Sequence, residues 1–244
     1  MLEAKEFLGN VGIGITCPFF CKATNDYLYI LKANSSKMTN HVLISEMLGK
    51  LIGEKLNLNF PHSDIIDIST LHLEEKYASL QFASQYIPYI EYLDKDNLKK
   101  ATNLHEMAGT ILFDHIFHNP DRVSNRKNLL FSYLDHHIYA IDNSHLFKCS
   151  YWTNETLKKL STQLSIYNNH LYGVLLRDML KKSDFLPYIH EIEKTSYEDI
   201  VSIVNRIPAQ WLSKDIDLSF LIEFITIRYR NIEKIAEKIF YKMQ

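Results

Sequence analysis

TILFDHIFHNPDRVSNRKNLLFSYLDHHIYAIDNSHLF, residues 110–147, is the stretch on which the reading of the fold turns. An apolar helical run ends at His118, and Asn119, Pro120, Asp121 and Arg122 make a turn. Polar residues Asn125 to Asn128 lead into a short apolar strand, Leu129 to Tyr133. Asp135-His136-His137 turns the chain into a second strand, His137 to Ile141, which ends on Asp142. Two acids and an amide are thereby presented by loops and strand ends around one hairpin.

That set suits phosphoryl transfer. The reaction moves a highly charged group, so the protein supplies positioning and charge neutralisation more than covalent chemistry. One carboxylate must orient the attacking hydroxyl, and Asp121 fits this role. A second carboxylate and an amide oxygen must hold Mg²⁺, a cation of hard oxygen ligands. Asp142 and an Asn of the intervening loop fit here. A helix end followed by a hairpin would select the same Asp and Asn for turns. The three together, each beside an apolar strand, favour the chemical reading.

Outward from this stretch, the N-terminal third is strand-rich. Gly9-Asn10-Val11-Gly12-Ile13-Gly14 reads as a glycine-rich turn between strands, and glycines let backbone N–H groups approach phosphates. Any hairpin can use them, so the motif is weak alone. Tyr27 to Leu31 is a strong strand that ends at Lys32. From about Val42 to Leu56 the apolar positions recur at helical spacing. Glu46 lies on that helix, where it could pair with Lys32 and hold it toward nucleotide phosphates. A solvated glutamate at a helix start is the competing reading. Asp64 to Ile68 and Tyr77 to Ile87 alternate as strands. Within the second, Phe82 to Tyr86, with Phe82 and Ser84 as candidate contacts, lies where an adenine would pass. Pro88 marks the boundary between an N-terminal part (1–88) and a C-terminal part (89–244).

After Asp94 to Asn97 a long helix is expected to reach His118. Asp114, His115 and His118 invite a metal reading, but a metal site needs further convergent ligands, so polar helix-end residues are the simpler account. From Asn154 onward helices are expected at about 154–166, 168–182, 184–193, 196–206 and 217–242, with Asn154 and Ser196 as N-caps. Arg228, Arg230 and Lys234 read as the solvated face of the last. The pattern describes a two-lobed α+β protein, strand-rich first and mainly helical second, with the cleft between lobes.

Composition agrees. A chain of 244 residues, 46% hydrophobic and 23% charged, can build a real core. Its formal net charge of −2 argues against a broad nucleic-acid footprint. Cys17, Cys21 and Cys149, with no C-x-x-C, fit a reduced cytoplasmic setting. Neither a signal peptide nor a membrane-spanning run is legible.

The residues resemble one family, the compact HipA-like kinases, over nearly the whole chain. The resemblance rests on Gly9 to Gly14, Tyr29-Ile30-Leu31-Lys32, Ser45-Glu46, Leu51-Ile52-Gly53 to Phe60-Pro61, and Arg206 to Trp211. It rests most on Phe113-Asp114 to Asn119-Pro120-Asp121-Arg122, Asn128-Leu129-Leu130 and Ile141-Asp142. It implies a protein-kinase-like fold, ATP and Mg²⁺ as cofactors, Lys32 on the nucleotide phosphates with Glu46 positioning it, Asp121 as the catalytic Asp, and Asn128 and Asp142 on the metal. Asn125 has nearly the usual kinase spacing, but Asn128 directly precedes a strand and belongs to the matching Asn-Leu-Leu. A Ser or Thr of a protein substrate as acceptor, autophosphorylation, and a bacterial toxin role with a small antitoxin partner are implied by the relatives alone. Thr16, Ser35 and Ser36 are candidate autophosphorylation sites, or ordinary loop residues. Arg126-Lys127 stands where relatives often carry Asn-Pro, and Asn143-Ser144 where they often carry His-Gly. A nucleotide-binding pseudokinase acting as an interaction module is therefore the alternative. A small-molecule phosphotransferase is a third reading, although its usual His-Gly-Asp is replaced by Asn119-Pro120-Asp121.

Overall fold

The computed structural model describes residues 2–12, 18–32, 40–71 and 79–244. Strands β1 (Leu2–Asn10), β2 (Phe19–Ala23), β3 (Leu28–Leu31), β4 (Ser63–Asp67) and β5 (Leu80–Gln85) close into a barrel in the order β1-β2-β3-β5-β4. Neighbours are antiparallel except β1 and β4, which close the barrel in parallel through Leu2–Ile66 and Glu3–Asp67. Alternating residues point inward, as the two-residue period of a strand requires. Tyr29, Leu31, Cys21, Ala23 and Ala83 fill the barrel core.

Between β3 and β4 the chain makes helix α1 (Asn40–Lys55). Its apolar side chains, from Val42 to Ile52, join a second and larger core shared with the C-terminal helices. Two tryptophans fasten the strand-rich part to the helical part. Trp152 Nε1 donates to Ser45 Oγ at 3.0 Å, and Trp211 Nε1 donates to the carbonyl of Leu80 at 3.2 Å. Both rings are buried, and burial of each such ring is worth roughly 1.5–3 kcal/mol.

A second sheet follows, β6 (Ile90–Tyr92), β7 (Leu129–Ser132) and β8 (Ile138–Ala140), with β7 in the middle. The remaining helices are α2 (Lys95–Leu98), α3 (Met107–Ile116), α4 (Pro120–Ser124), α5 (Asn154–Ser161), α6 (His170–Val174), α7 (Lys182–Lys194), α8 (Tyr197–Val204), α9 (Leu218–Arg230) and α10 (Ile232–Lys242). No helix among the described residues is long and apolar enough to cross a membrane.

Several local expectations are corrected. Gly9 lies inside β1, not in a turn. The long helix ending near His118 is broken between α2 and α3, because buried Asn103 bonds the backbone of Ile138 on β8 through both its amide groups, at 2.8 and 3.1 Å. The helix expected over 154–166 stops at Ser161, since the backbone of Gln163 and Tyr167 is claimed by Arg228 and His115. The one over 168–182 ends in a wide turn where Leu180 N donates to Leu175 O. The last helix divides at Asn231, which caps Ile227 O with its side chain. Thr153, rather than Asn154, caps α5, whereas Ser196 caps α8. Arg228 is fully buried, not solvated, and donates to the carbonyls of Ile116, His115 and Gln163.

Candidate active site

Lys32, just past the end of β3, meets two carboxylates. Its ammonium pairs with Glu46 of α1 and lies 2.7 Å from Asp142 Oδ1. Glu46 is almost wholly buried, so it is not a solvated helix-start glutamate. Its second oxygen, Oε2, accepts from the backbone N–H of Asn143 at 3.1 Å. One glutamate thus ties α1, the end of β3 and the segment after β8 together. Burial works against the Lys32 ammonium, but the charges of Asp142 and Glu46 outweigh it and raise its pKa. Burial likewise would raise Asp142, yet the Lys32 charge and the donors of Lys32 and Ser144 hold it well below the usual carboxylate range. For Glu46 burial prevails over Lys32, and its pKa is raised.

Asp142 sits in the left-handed region, with φ +65°. Aspartate tolerates that conformation better than most residues. The turn is held by Ser144, whose N–H and hydroxyl both donate to Asp142 Oδ1, at 3.1 and 2.5 Å. Oδ1 is therefore fully engaged by Lys32 and Ser144. Asn143 packs on Gly49 of α1, where a Cβ would stand 2.2 Å from Asn143 Nδ2. Glycine here is a requirement of close approach between helix and loop.

Asp121 and Asn128 lie on the next layer. Asn128 Nδ2 donates to Asp121 Oδ2 at 2.5 Å. Ile141 N donates to Asn128 O at 2.9 Å, which extends the β7–β8 ladder by one rung and brings Asn128 beside Asp142. Asn125 differs from Asn128. Its Oδ1 accepts from Lys127 N at 3.2 Å as a turn cap, and its Nδ2 contacts Asn128 Oδ1 at 3.4 Å.

Beneath this layer is a network that sequence reading passed over. Arg122 is wholly buried, with Nε 3.1 Å from Asp114 Oδ2. Its other nitrogens donate to Ile141 O at 2.8 Å and Asn143 Oδ1 at 2.5 Å. Asp114 also accepts from Asn119 and Tyr172. The Arg122 fork binds both flanks of Asp142 and so fixes its backbone from below. The adjacency of Arg122 to Asp121, and the Asp114-to-Arg122 spacing across a helix end, were the legible hints.

His115 and His118 are structural. His115 Nδ1 donates to Ile111 O at 2.6 Å while Nε2 accepts from Tyr167 N at 2.9 Å, which defines a neutral ring. Burial lowers the two pKa values to about 4 and about 3. No group of three or more metal-ligating His, Cys, Asp or Glu occurs among the described residues.

Other predicted contacts are placed less tightly. Gly9 and Gly12 have φ of +104° and +78° with open space about them, so backbone conformation, not packing, calls for glycine there. Gly14, Cys17, Thr16, Ser35 and Ser36 lie outside the described residues. Phe82 is packed in the large core in mid-strand, and its carbonyl accepts from Lys32 N at 3.3 Å. Ser84 is half-buried, paired with Ile30 and Ser63.

A family model for HipA-like kinases matches residues 4–243. The fold is similar to that of CtkA, a proinflammatory kinase of Helicobacter pylori known from a crystal structure. The TM-score is 0.64 at 15% identity, over 100% of this chain and 98% of that one. At that identity the likeness concerns the fold alone. Comparison with curated proteins finds no match.

Proposed function

The chain belongs to the HipA-like kinase family, and we propose that it is a two-lobed, ATP- and Mg²⁺-dependent kinase acting on a Ser or Thr of a protein, itself included. The barrel with α1 forms the first lobe in this reading and residues 89–244 the second. The observation that carries it is the convergence of Lys32, Glu46 and Asp142, from three separate elements, beside the bonded pair Asp121 and Asn128.

The donor set fits the metal. Asp142 Oδ1 is engaged by Lys32 and Ser144, while Oδ2 has no hydrogen bond among the described residues. Asn128 turns its amide nitrogen to Asp121, and its oxygen accepts one long hydrogen bond, 3.4 Å from Asn125 Nδ2, which leaves it acceptor capacity for a cation. Both are hard oxygen ligands, and Mg²⁺ takes few from protein. Asp142 and Asn128 would hold Mg²⁺, which when bound neutralises phosphate charge. Lys32 would hold phosphate oxygens, kept in place by Glu46. Asp121 would orient the acceptor hydroxyl and take its proton, its second oxygen steadied by Asn128.

The same bonds separate the two asparagines. Asn128→Ala should raise the Mg²⁺ concentration needed for half-maximal activity and cut turnover by about 100-fold. Asn125→Ala, which loses only a turn cap, should be mild. Activity measured against Mg²⁺ concentration decides, and the reverse ranking moves the ligand to Asn125.

The kinase reading itself is tested with purified protein, labelled ATP, Mg²⁺ and a generic protein substrate. Transfer to the substrate or to the protein supports it. ATP binding without any transfer would favour the pseudokinase module, for which Ser144 on Asp142 and Arg126 five positions after Asp121 speak. From the family resemblance we extend the proposal to a cytoplasmic bacterial toxin held by a small antitoxin. Growth arrest on expression, relieved by the product of an adjacent gene, is the matching test.

A further inference from the structure

The side chains of Arg126 and Lys127 have no part in the contacts described so far, yet they sit within the turn that joins Asp121 to Asn128. Both side chains are exposed. The turn beneath them is fixed at three points. Asn128 N donates to Asn125 O at 3.0 Å, Asn125 Oδ1 accepts from Lys127 N at 3.2 Å, and Asn128 Nδ2 bonds Asp121 at 2.5 Å. Two cations are therefore carried on a turn whose backbone is bonded, within seven residues of Asp121.

Their surroundings compensate the charge only in part. Neither forms an ion pair among the described residues. Lys127 Nζ lies 5.8 Å from the ring centroid of Tyr92, an exposed residue on the edge strand β6. The nearby acid is Asp94, which feels the charges of Lys100 and Arg126. Its carboxylate caps α2 through Oδ1, which accepts from the N–H groups of Asp96 and Asn97, and its negative charge offsets part of the positive charge of Arg126 and Lys100. Two exposed cations and an aromatic ring thus stand in the turn beside Asp121, in a chain of net charge −2.

This charge has no evident duty toward the nucleotide. Lys32, on another element, already stands with Asp142 and Glu46, and Arg has no acceptor atom with which to bind a metal. Resting on the kinase reading above, we propose that Arg126 and Lys127 select the acceptor: a peptide segment whose target hydroxyl is flanked by negative charge, from Asp, Glu or a phosphorylated side chain. Exposed cations of this kind act through charge complementarity, with modest affinity and marked salt dependence.

The test reads binding apart from turnover. Two fluorescein-labelled peptides, each with one Ser, are compared by anisotropy; one is flanked by Asp and Glu, the other by Lys and Arg. The wild-type protein should bind the acidic peptide at least about tenfold more tightly, and less so at high salt. Arg126→Glu/Lys127→Glu should reverse the preference, and Arg126→Gln/Lys127→Gln should abolish it. Affinity for a fluorescent ATP analogue should stay unchanged in both, which also reports that they fold. Equal binding of the two peptides by the wild type, or binding of neither, overturns the proposal. So does a loss of nucleotide affinity with the peptide preference intact, which would assign the cations to the phosphates of ATP. Whether the bound acidic peptide is then phosphorylated is a separate result: its absence would count against the kinase reading and leave only the recognition of an acidic peptide by Arg126 and Lys127.

Discussion

Asp121→Asn should lower phosphoryl transfer by about 10³- to 10⁴-fold while the fold and the affinity for nucleotide persist. The amide keeps the shape of the side chain and still offers an oxygen to Asn128 Nδ2, so the 2.5 Å bond that steadies the turn has a substitute. What it loses is the ability to accept the proton of the acceptor hydroxyl. Single-turnover transfer from labelled ATP, with a fluorescent nucleotide titration on the same sample, separates chemistry from binding. A variant that retains wild-type turnover would reduce Asp121 to a turn residue and remove the main support for the chemical assignment.

Arg122→Met should destabilise the protein by about 3–5 kcal/mol, a large share of what holds a domain folded. The Asp114 carboxylate is wholly buried and would lose its cationic partner. Burial already raises its pKa, and Arg122 is the principal influence holding it down. Ile141 O and Asn143 Oδ1 would also lose their donors. Adding Asp114→Asn should return part of the loss, because a neutral amide needs no counter-charge. Urea unfolding of the two variants checks this. A single variant within about 0.5 kcal/mol of wild type, or a double variant no better than the single, would show that the pair is not a buried ion pair in solution.

The two predictions draw on parts of the chain that differ in how much the sequence discloses. Lys32 and Glu46 could be paired from a strand end and a helix, and Asp121, Asn128 and Asp142 from their places around one hairpin, because these relations lie within short windows where side-chain period is informative. Barrel closure could not be read in this way. It depends on Leu2 meeting Ile66 in parallel, a contact with no local signature. Arg122 and Arg228 escaped for a related reason. An arginine can be buried only where several acceptors converge, and those of Arg228 come from Ile116, His115 and Gln163, each far away in sequence. Helix breaks misled in the same manner. Asn103 interrupts a helical pattern because it can satisfy Ile138 on a strand that lies 35 residues further on.

The division of the interior into two clusters bears on how the molecule opens. The barrel's own cluster has few buried side chains among the described residues, three alanines and a cysteine among them, whereas α1 spends its apolar face on the larger core. Parts with little buried apolar area open at lower free energy than the whole chain unfolds, and their amides exchange sooner. Strands β1, β2 and β3 are thus the part expected to exchange first, since β5 lends Leu80 and Phe82 to the larger core. Lys32 stands on that side of the boundary, and Glu46 and Asp142 on the other. A nucleotide held from both sides, as the proposed kinase reading requires, would have to be released before the barrel could open, so its binding would register as slowed amide exchange in strands that do not touch it.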